Sequence, residues 1–240
     1  MLATAFAPDG VSLPRATVER RPRPGSTDTL ADRFELSSLR SLAPKEHLFC
    51  AGDQATHVYR VESGHLCIYR TMMDGRRQVV DFAYPGDVLG LGALGEHGTS
   101  AQATVRTVVR CLAVSTLVDS ARRDPKLGMQ LYETLSHELQ AARELLFTVS
   151  QKTASERLAS FLLALSRRNA RRGEKPNEIV LPMTRSDIAD FLGLTIETVS
   201  RTFTRLRQEK VIDIEQCILV TICDPRRLED IAESKGDINI

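Results

Sequence analysis

Along the chain the spacing of hydrophobic positions changes from strand-like to helical. Between Glu46 and Val118 short apolar runs alternate with polar residues and are separated by turn-forming ones, the period of strands with one buried face. His57-Val58-Tyr59-Arg60-Val61 stops at Ser63-Gly64, and Leu66-Cys67-Ile68-Tyr69 runs on to Asp74-Gly75. Gln78 to Phe82 supplies a returning strand, Pro85-Gly86-Asp87 turns the chain again, and Gln102 to Val114 reads as further strand. Asp74-Gly75 predicts a tight hairpin, because a short primed turn needs positive φ at its centre. Many short strands with glycine at the corners predict an antiparallel barrel or roll.

After Pro125 the period becomes helical. Tyr132, Leu135, Leu139, Ala142, Leu146 and Val149 recur three and four residues apart, which draws one apolar seam along a long helix, widened by Leu131 and Leu145. Such a helix can bury one stripe on its own roll and another against a second copy, so a parallel homodimer is expected, with packing inside one chain as the alternative. A second amphipathic segment carries Leu158, Phe161, Leu162 and Leu165 and ends in the basic stretch Arg167 to Arg172. The expected class is therefore α+β. A flexible, proline-interrupted arm spans residues 1–30, an antiparallel β-roll 31–121, a dimerisation helix 122–152, and a winged helix-turn-helix 153–240.

The segment from Thr184 to Arg201 carries the most specific pattern. Thr184 and Asp187 have capping-box spacing and predict a helix start, and Gly193 fits the left-handed residue that ends it. Thr195 can cap the next helix, Ala189 permits close approach, and Val199 inserts between the two, with Ile196, Phe203 and Leu206 extending the inner stripe. On the opposite face Glu197, Ser200, Arg201 and Thr204 come together, with Arg205 beside them. An Arg fork matches guanine O6 and N7, a carboxylate accepts from cytosine N4, and a hydroxyl serves either role. Glu197, Ser200 and Arg201 are thus the expected base readers of double-stranded DNA. Thr184, Arg185, Thr195, Thr198, Thr204 and Arg205 are the expected supporting contacts. A solvated face with a Glu197–Arg201 ion pair is the plain alternative. Val211-Ile212 and Ile218-Leu219-Val220 read as the strands of a wing.

Composition narrows this picture. With 32 Lys and Arg against 31 Asp and Glu the 240-residue chain carries a formal charge of +1, so a case for nucleic acid has to be local. Arg20, Arg21 and Arg23 could touch DNA or be solvated tail. No apolar run is long enough to cross a bilayer and no signal-peptide pattern opens the chain, so a cytoplasmic protein is expected. Cys50, Cys67, Cys111, Cys217 and Cys223 are dispersed and read as small buried residues in strands. His47, His57, His65, His97 and His137 fall at unrelated positions, and neither a metal site nor a catalytic site is expected.

The order of roll, long helix and winged helix resembles the bacterial catabolite activator and anaerobic regulator superfamily, the Crp/Fnr family, from about Leu36 to Asp224. Gly52-Asp53, Val58-Tyr59, Ser63-Gly64, Asp74-Gly75-Arg76-Arg77-Gln78 and Pro85-Gly86-Asp87 match its roll signature, and Glu197-Thr-Val-Ser200-Arg201 is similar to the reading motif of its anaerobic branch. The chain departs from the cluster-bearing members in having no cysteine before Cys50. It departs from the cyclic-nucleotide binders in having Leu91 after Gly90, and Ala101-Gln102 where an Arg-Ser pair would hold the phosphate. These features resemble the FixK-type regulators most. That resemblance implies no cofactor, a homodimer on a TTGAT-N4-ATCAA-like palindrome, contact with RNA polymerase, and activation of genes for low-oxygen respiration and nitrogen metabolism. An effector-gated regulator with an unidentified ligand in its roll, and an enzyme built on a small barrel, are the competing functions.

Overall fold

The computed structural model describes residues 29–93, 95–215 and 218–234. Helix α1 (Leu30–Glu35) opens on a Thr29–Asp32 capping box, so Leu30, expected in the arm, is already helical. The basic cluster Arg20, Arg21 and Arg23 lies outside the described residues, as does Cys217.

Eight strands follow: β1 (Ser38–Leu42), β2 (His47–Phe49), β3 (His57–Ser63), β4 (Leu66–Thr71), β5 (Arg77–Ala83), β6 (Val88–Leu89), β7 (Ser100–Ala103) and β8 (Thr107–Ala113). They form two antiparallel sheets, ordered β1-β8-β3-β6 and β2-β7-β4-β5. Period-two alternation sends Leu42, Tyr59, Val61 and Val109 of one sheet, and Phe49, Leu66, Ile68 and Ala101 of the other, into a common core. The region expected as strand from Gln102 to Val114 is broken at residues 104–106, where the chain crosses from one sheet to the other. Gly64 is obligatory: at φ +80° it lies so close to Thr107 that a Cβ would come within 2.6 Å of its Cα. The hairpin at Asp74-Gly75 is wider than a two-residue turn. Thr71 pairs with Arg77, Met72 N–H donates to the Arg76 carbonyl at 2.7 Å, and only Gly75 takes positive φ, as in three-residue loops.

The helical part begins earlier than its seam. Helix α2 (Val114–Arg123) breaks at Asp124, whose carboxylate caps α3 (Pro125–Gln151) with Pro125 in its first turn. Only the start of α3 is covered by the roll: Leu127, with Leu131 beside it, packs with Phe34, Val58, Leu112 and Leu117. Beyond that point the seam is bare. Tyr132 is 66% exposed, Leu139 52% and Leu146 67%, and Phe147, which the seam reading omitted, 59%. Leu135 and Ala142 are also exposed and Val149 is half-buried.

Helix α4 (Ala154–Arg171) starts on a Thr153–Glu156 capping box directly after Lys152, the C-cap of α3. The remaining elements are β9 (Glu178–Val180), α5 (Arg185–Leu192), α6 (Ile196–Gln208), β10 (Ile212–Glu215), β11 (Leu219–Ile222) and α7 (Pro225–Ala232). The small sheet has the order β10-β11-β9, and its third strand, β9, had no clear pattern in a three-residue run. One apolar cluster unites Leu158, Leu162, Ile188, Leu192, Val199, Phe203 and Leu206 of the helices with Val79, Phe82 and Tyr84 of the roll. The two halves therefore share a core.

Among the cysteines, Cys67 is buried and Cys111 half-buried in strands, but Cys50 and Cys223 are exposed because both stand outside strands. Desolvation pushes the Cys67 thiol up to about 12, so it stays protonated and unreactive. No described helix is long and apolar enough to cross a membrane.

His65 packs edge-on to Tyr84 at 5.0 Å between centroids, under the Arg168 guanidinium that covers the same ring at 4.2 Å. Burial, and then the charges of Arg172 and Arg168, lower its imidazole from 6.5 to about 4. The unfolded chain thus binds a proton that the folded one refuses. This contribution to stability is complete above about pH 6.5 and is lost as pH falls toward about 4. Replacing His65 with Gln is expected to flatten the pH dependence of stability across that window, measured as the difference between wild-type and variant denaturant midpoints.

Candidate nucleic-acid interface

The reading unit is assembled by local chemistry at each helix end. The Thr184 hydroxyl accepts from Asp187 N–H at 3.1 Å while the Asp187 carboxylate accepts from Thr184 N–H at 2.9 Å, so two otherwise unpaired donors of α5 are satisfied. Gly193 ends the helix at φ +62° and ψ 42°, and Leu194 N–H returns to the Ala189 carbonyl at 2.9 Å. Thr195 then caps α6, accepting from Thr198 N–H at 3.2 Å, and the two hydroxyls meet at 3.0 Å. Val199, Phe203 and Leu206 are buried at helical spacing. Ile196, expected with them, is exposed instead, since it stands at the first position of α6, past the end of α5. Thr202, a polar residue on the inner face, is buried with its hydroxyl donating to Thr198 O at 2.8 Å.

The outer face is open. Glu197, Ser200, Arg201, Thr204 and Arg205 are all exposed along α6. Arg201 Nε donates at 3.4 Å to the backbone carbonyl of Glu197, and a side-chain ion pair between the two is not formed, so the guanidinium fork remains available. The Glu197 carboxyl is held below the usual carboxylate range by its own backbone N–H and the Thr195 hydroxyl, with a smaller contribution from the Arg201 charge. It is ionised at neutral pH and can only accept.

The remaining foreseen residues hold the frame. Thr204 donates to Ser200 O at 3.0 Å. Arg185 lays its guanidinium over the Phe203 ring, 3.4 Å from the centroid, and so ties α5 to α6. Arg205 pairs with Glu209 and donates to the Ser155 hydroxyl at the start of α4.

Two residues outside the helix-turn-helix pattern also act on it, Arg77 of β5 and Arg157 of α4. Arg77 Nη1 bonds Asp187 Oδ1 at 2.8 Å, and Arg157 Nη1 donates to the Leu192 carbonyl at 2.9 Å. No spacing rule reveals them, because their partners are distant in sequence.

The roll's ligand position is also decided by geometry. Ala101 is buried in β7, and the Gln102 amide turns away to the Lys45 carbonyl at 2.9 Å. The cleft wall at that point is Gly98 and Thr99. Inside, His97 stacks on Phe49 at 3.7 Å with the rings 9° from parallel, against Tyr59. The expected Ala101-Gln102 pair therefore does not face the cleft, and aromatic rings stand inside the roll. These residues do not fit a cyclic phosphate. Among the described residues no group of three His, Cys, Asp or Glu could hold a metal.

Comparison with known proteins agrees with this layout. Residues 156–231 match the Crp-like helix-turn-helix domain, and residues 39–118 match the cyclic nucleotide-binding domain. The nitrogen fixation regulation protein FixK of Bradyrhizobium diazoefficiens is 36% identical over 207 residues, 84% of this chain and 87% of the relative. The chain belongs to the Crp/Fnr family of transcription regulators. The transcriptional activatory protein AadR of Rhodopseudomonas palustris is 36% identical over 189 residues, 79% of each chain. The structure of FixK2 from Bradyrhizobium japonicum superposes with a TM-score of 0.77 at 33% identity, covering 82% of this chain and 97% of that one. The protein is a DNA-binding regulator of the FixK kind and not an enzyme.

Gly193 is the residue on which the turn depends. Alanine there places a Cβ in the left-handed region and 3.5 Å from Arg157 Nη1, an expected loss of about 1–2 kcal/mol. Asparagine, which tolerates this conformation, should lose less. Denaturant unfolding of Gly193→Ala and Gly193→Asn checks the order.

Proposed function

We propose that this regulator is a homodimeric activator that reads a TTGAT-N4-ATCAA-like palindrome. The observation that carries the proposal is the bare apolar stripe of α3, Tyr132, Leu139 and Leu146 with Phe147 beside them, on a helix whose C-cap Lys152 immediately precedes the Thr153 cap of α4. Tyr132, Leu135, Leu139, Ala142, Leu146 and Val149 pair with the same residues of a second copy in an isologous interface. Two reading units related by that two-fold axis stand about one helical turn apart, on the order of 34 Å, and so select a palindrome.

In each half-site Arg201 takes the guanine with its fork, Glu197 the cytosine side and Ser200 a neighbouring base. Thr184, Thr195 and Thr198 support this by fixing helix starts, whose amides favour phosphate, and Arg185, Thr204 and Arg205 by holding α6 in place. The misfit of the roll to a cyclic phosphate and the cysteine-free arm support binding without cyclic nucleotide or iron–sulfur cluster. The roll then braces the dimer and presents surface to RNA polymerase in the cytoplasm. The FixK and AadR names support activation and nitrogen metabolism as its field, and the family resemblance adds low-oxygen respiration.

Joint replacement of Leu139 and Leu146 by Glu places like charges in the seam and is expected to yield monomers in sedimentation and weak DNA binding. An unchanged dimer removes α3 from the interface.

Arg201→Ala is expected to lower discrimination for guanine by about 1–3 kcal/mol in each half-site without altering the fold. Arg201→Lys restores it only in part, since an ammonium lacks the planar fork. The check is binding at fixed salt, with no effector added, to the palindrome and to a guanine-substituted version. Wild-type discrimination by the alanine variant shows that Arg201 is not the base reader.

A further inference from the structure

Helix α5 is eight residues long, and each of its ends is held by an arginine of another element, Arg77 of β5 at one and Arg157 of α4 at the other. At its N-terminal end the Arg77 guanidinium bonds Asp187 at 2.8 Å, the same carboxylate that closes the α5 capping box. Arg77 is itself fixed in the roll: it lies over the Tyr69 ring, 4.1 Å from the centroid, and its second terminal nitrogen reaches Cys67 Sγ at 3.1 Å. The neighbouring Gln78 amide donates to the Asp190 carbonyl, in the middle of α5. At the C-terminal end Arg157 Nη1 donates to the carbonyls of Leu192 at 2.9 Å and Gly193 at 3.3 Å, while its Nε donates at 2.8 Å to Lys152 O. One guanidinium thus joins the carbonyl ends of two helices, α3 and α5, where the helix dipoles favour a cation.

Between these ties Phe191 packs on Phe82 of the roll and Phe161 of α4, with centroids 5.3 and 5.7 Å away. The attachment therefore has three points along a short rod, and α6 follows α5 through Val199, Phe203 and the Arg185 stack. Because these contacts reach different neighbours, β5, the Phe82–Phe161 pair and α4, they restrain both the position of α5 and its rotation about its axis. The reading face then has one orientation relative to α3.

We infer that Arg77 and Arg157, which lie outside the base-reading face, determine the half-site spacing that the dimer accepts. This rests on the palindrome reading above. Each base pair added between half-sites moves them apart by about 3.4 Å and turns one against the other by about 35°. A reading unit pinned at both ends cannot follow that movement without breaking a charge-assisted contact. Without those two guanidinium ties the Phe191 packing and the remaining rim contacts hold the unit less tightly, and it can shift about the Lys152-Thr153 junction to meet a displaced half-site.

The test uses the full chain and a set of duplexes in which identical half-sites are separated by about two to six base pairs, at one salt concentration. Wild-type protein should prefer one separation by at least about tenfold. The double variant Arg77→Ala with Arg157→Ala should bind all separations within about threefold of one another, while its preference for guanine within a half-site and its salt slope stay as in wild type. Arg77→Ala alone, at a partly exposed side chain, should give an intermediate profile and guards against a double variant that fails to fold. Parallel loss of affinity at every separation, with the wild-type preference intact in both variants, overturns the inference and leaves the palindrome reading standing. A wild-type protein that is a monomer, or indifferent to spacing, overturns both.

Discussion

The two halves of this molecule are joined by the packing of α4 and α5 on the roll. Phe82, Phe161 and Phe191 come from three different elements and bury their faces together, and the surrounding aliphatic residues belong to one continuous cluster. Apolar burial supplies the attraction but no direction. Direction comes from the polar contacts at the rim, Arg77 with Asp187 and Gln78 with the Asp190 carbonyl, joined by Arg168 with Asp87 and Arg172 with the Pro85 carbonyl. Each charged member keeps part of its surface in water, so the desolvation cost is moderate and orientation is the main gain.

That arrangement changes the meaning of the roll. In a sensor the domain must have two states that a ligand tells apart. Here the interior holds the stacked Phe49 and His97 rings, and the strand that would present a phosphate contact buries Ala101 and turns Gln102 outward. The β5 edge of the roll's second sheet carries the contacts to the reading unit. On the reading proposed above, the architecture that matches a cyclic nucleotide-binding domain acts as a support for the reading unit.

Much of this is legible in the sequence. The capping box at Thr184, the left-handed Gly193 and the Thr195 cap are local events, settled by residues within three or four positions of one another. The α3 seam was legible for the same reason. The structure departs from the local pattern where a distant neighbour decides: Ile196 has the right spacing for the inner face but no helix above it, Cys50 and Cys223 lie outside the strands that would bury them, and residues 104–106 look like strand yet cross between sheets.

The sequence by itself determined the order of roll, long helix and helix-turn-helix, and the polar face of α6, because periodicity and capping are set within a few residues. It also determined that Arg201 and Glu197 stand one helical turn apart. Only the tertiary structure decided that Arg201 reaches a backbone carbonyl and forms no side-chain ion pair with Glu197, that Tyr132, Leu139 and Leu146 of α3 are left exposed, and that Arg77 and Arg157 close on the two ends of α5. Arg77 and Asp187 are 110 positions apart, and no local rule links them. Their meeting follows from the shared core that brings roll and reading unit together, and that core exists only once the chain has folded.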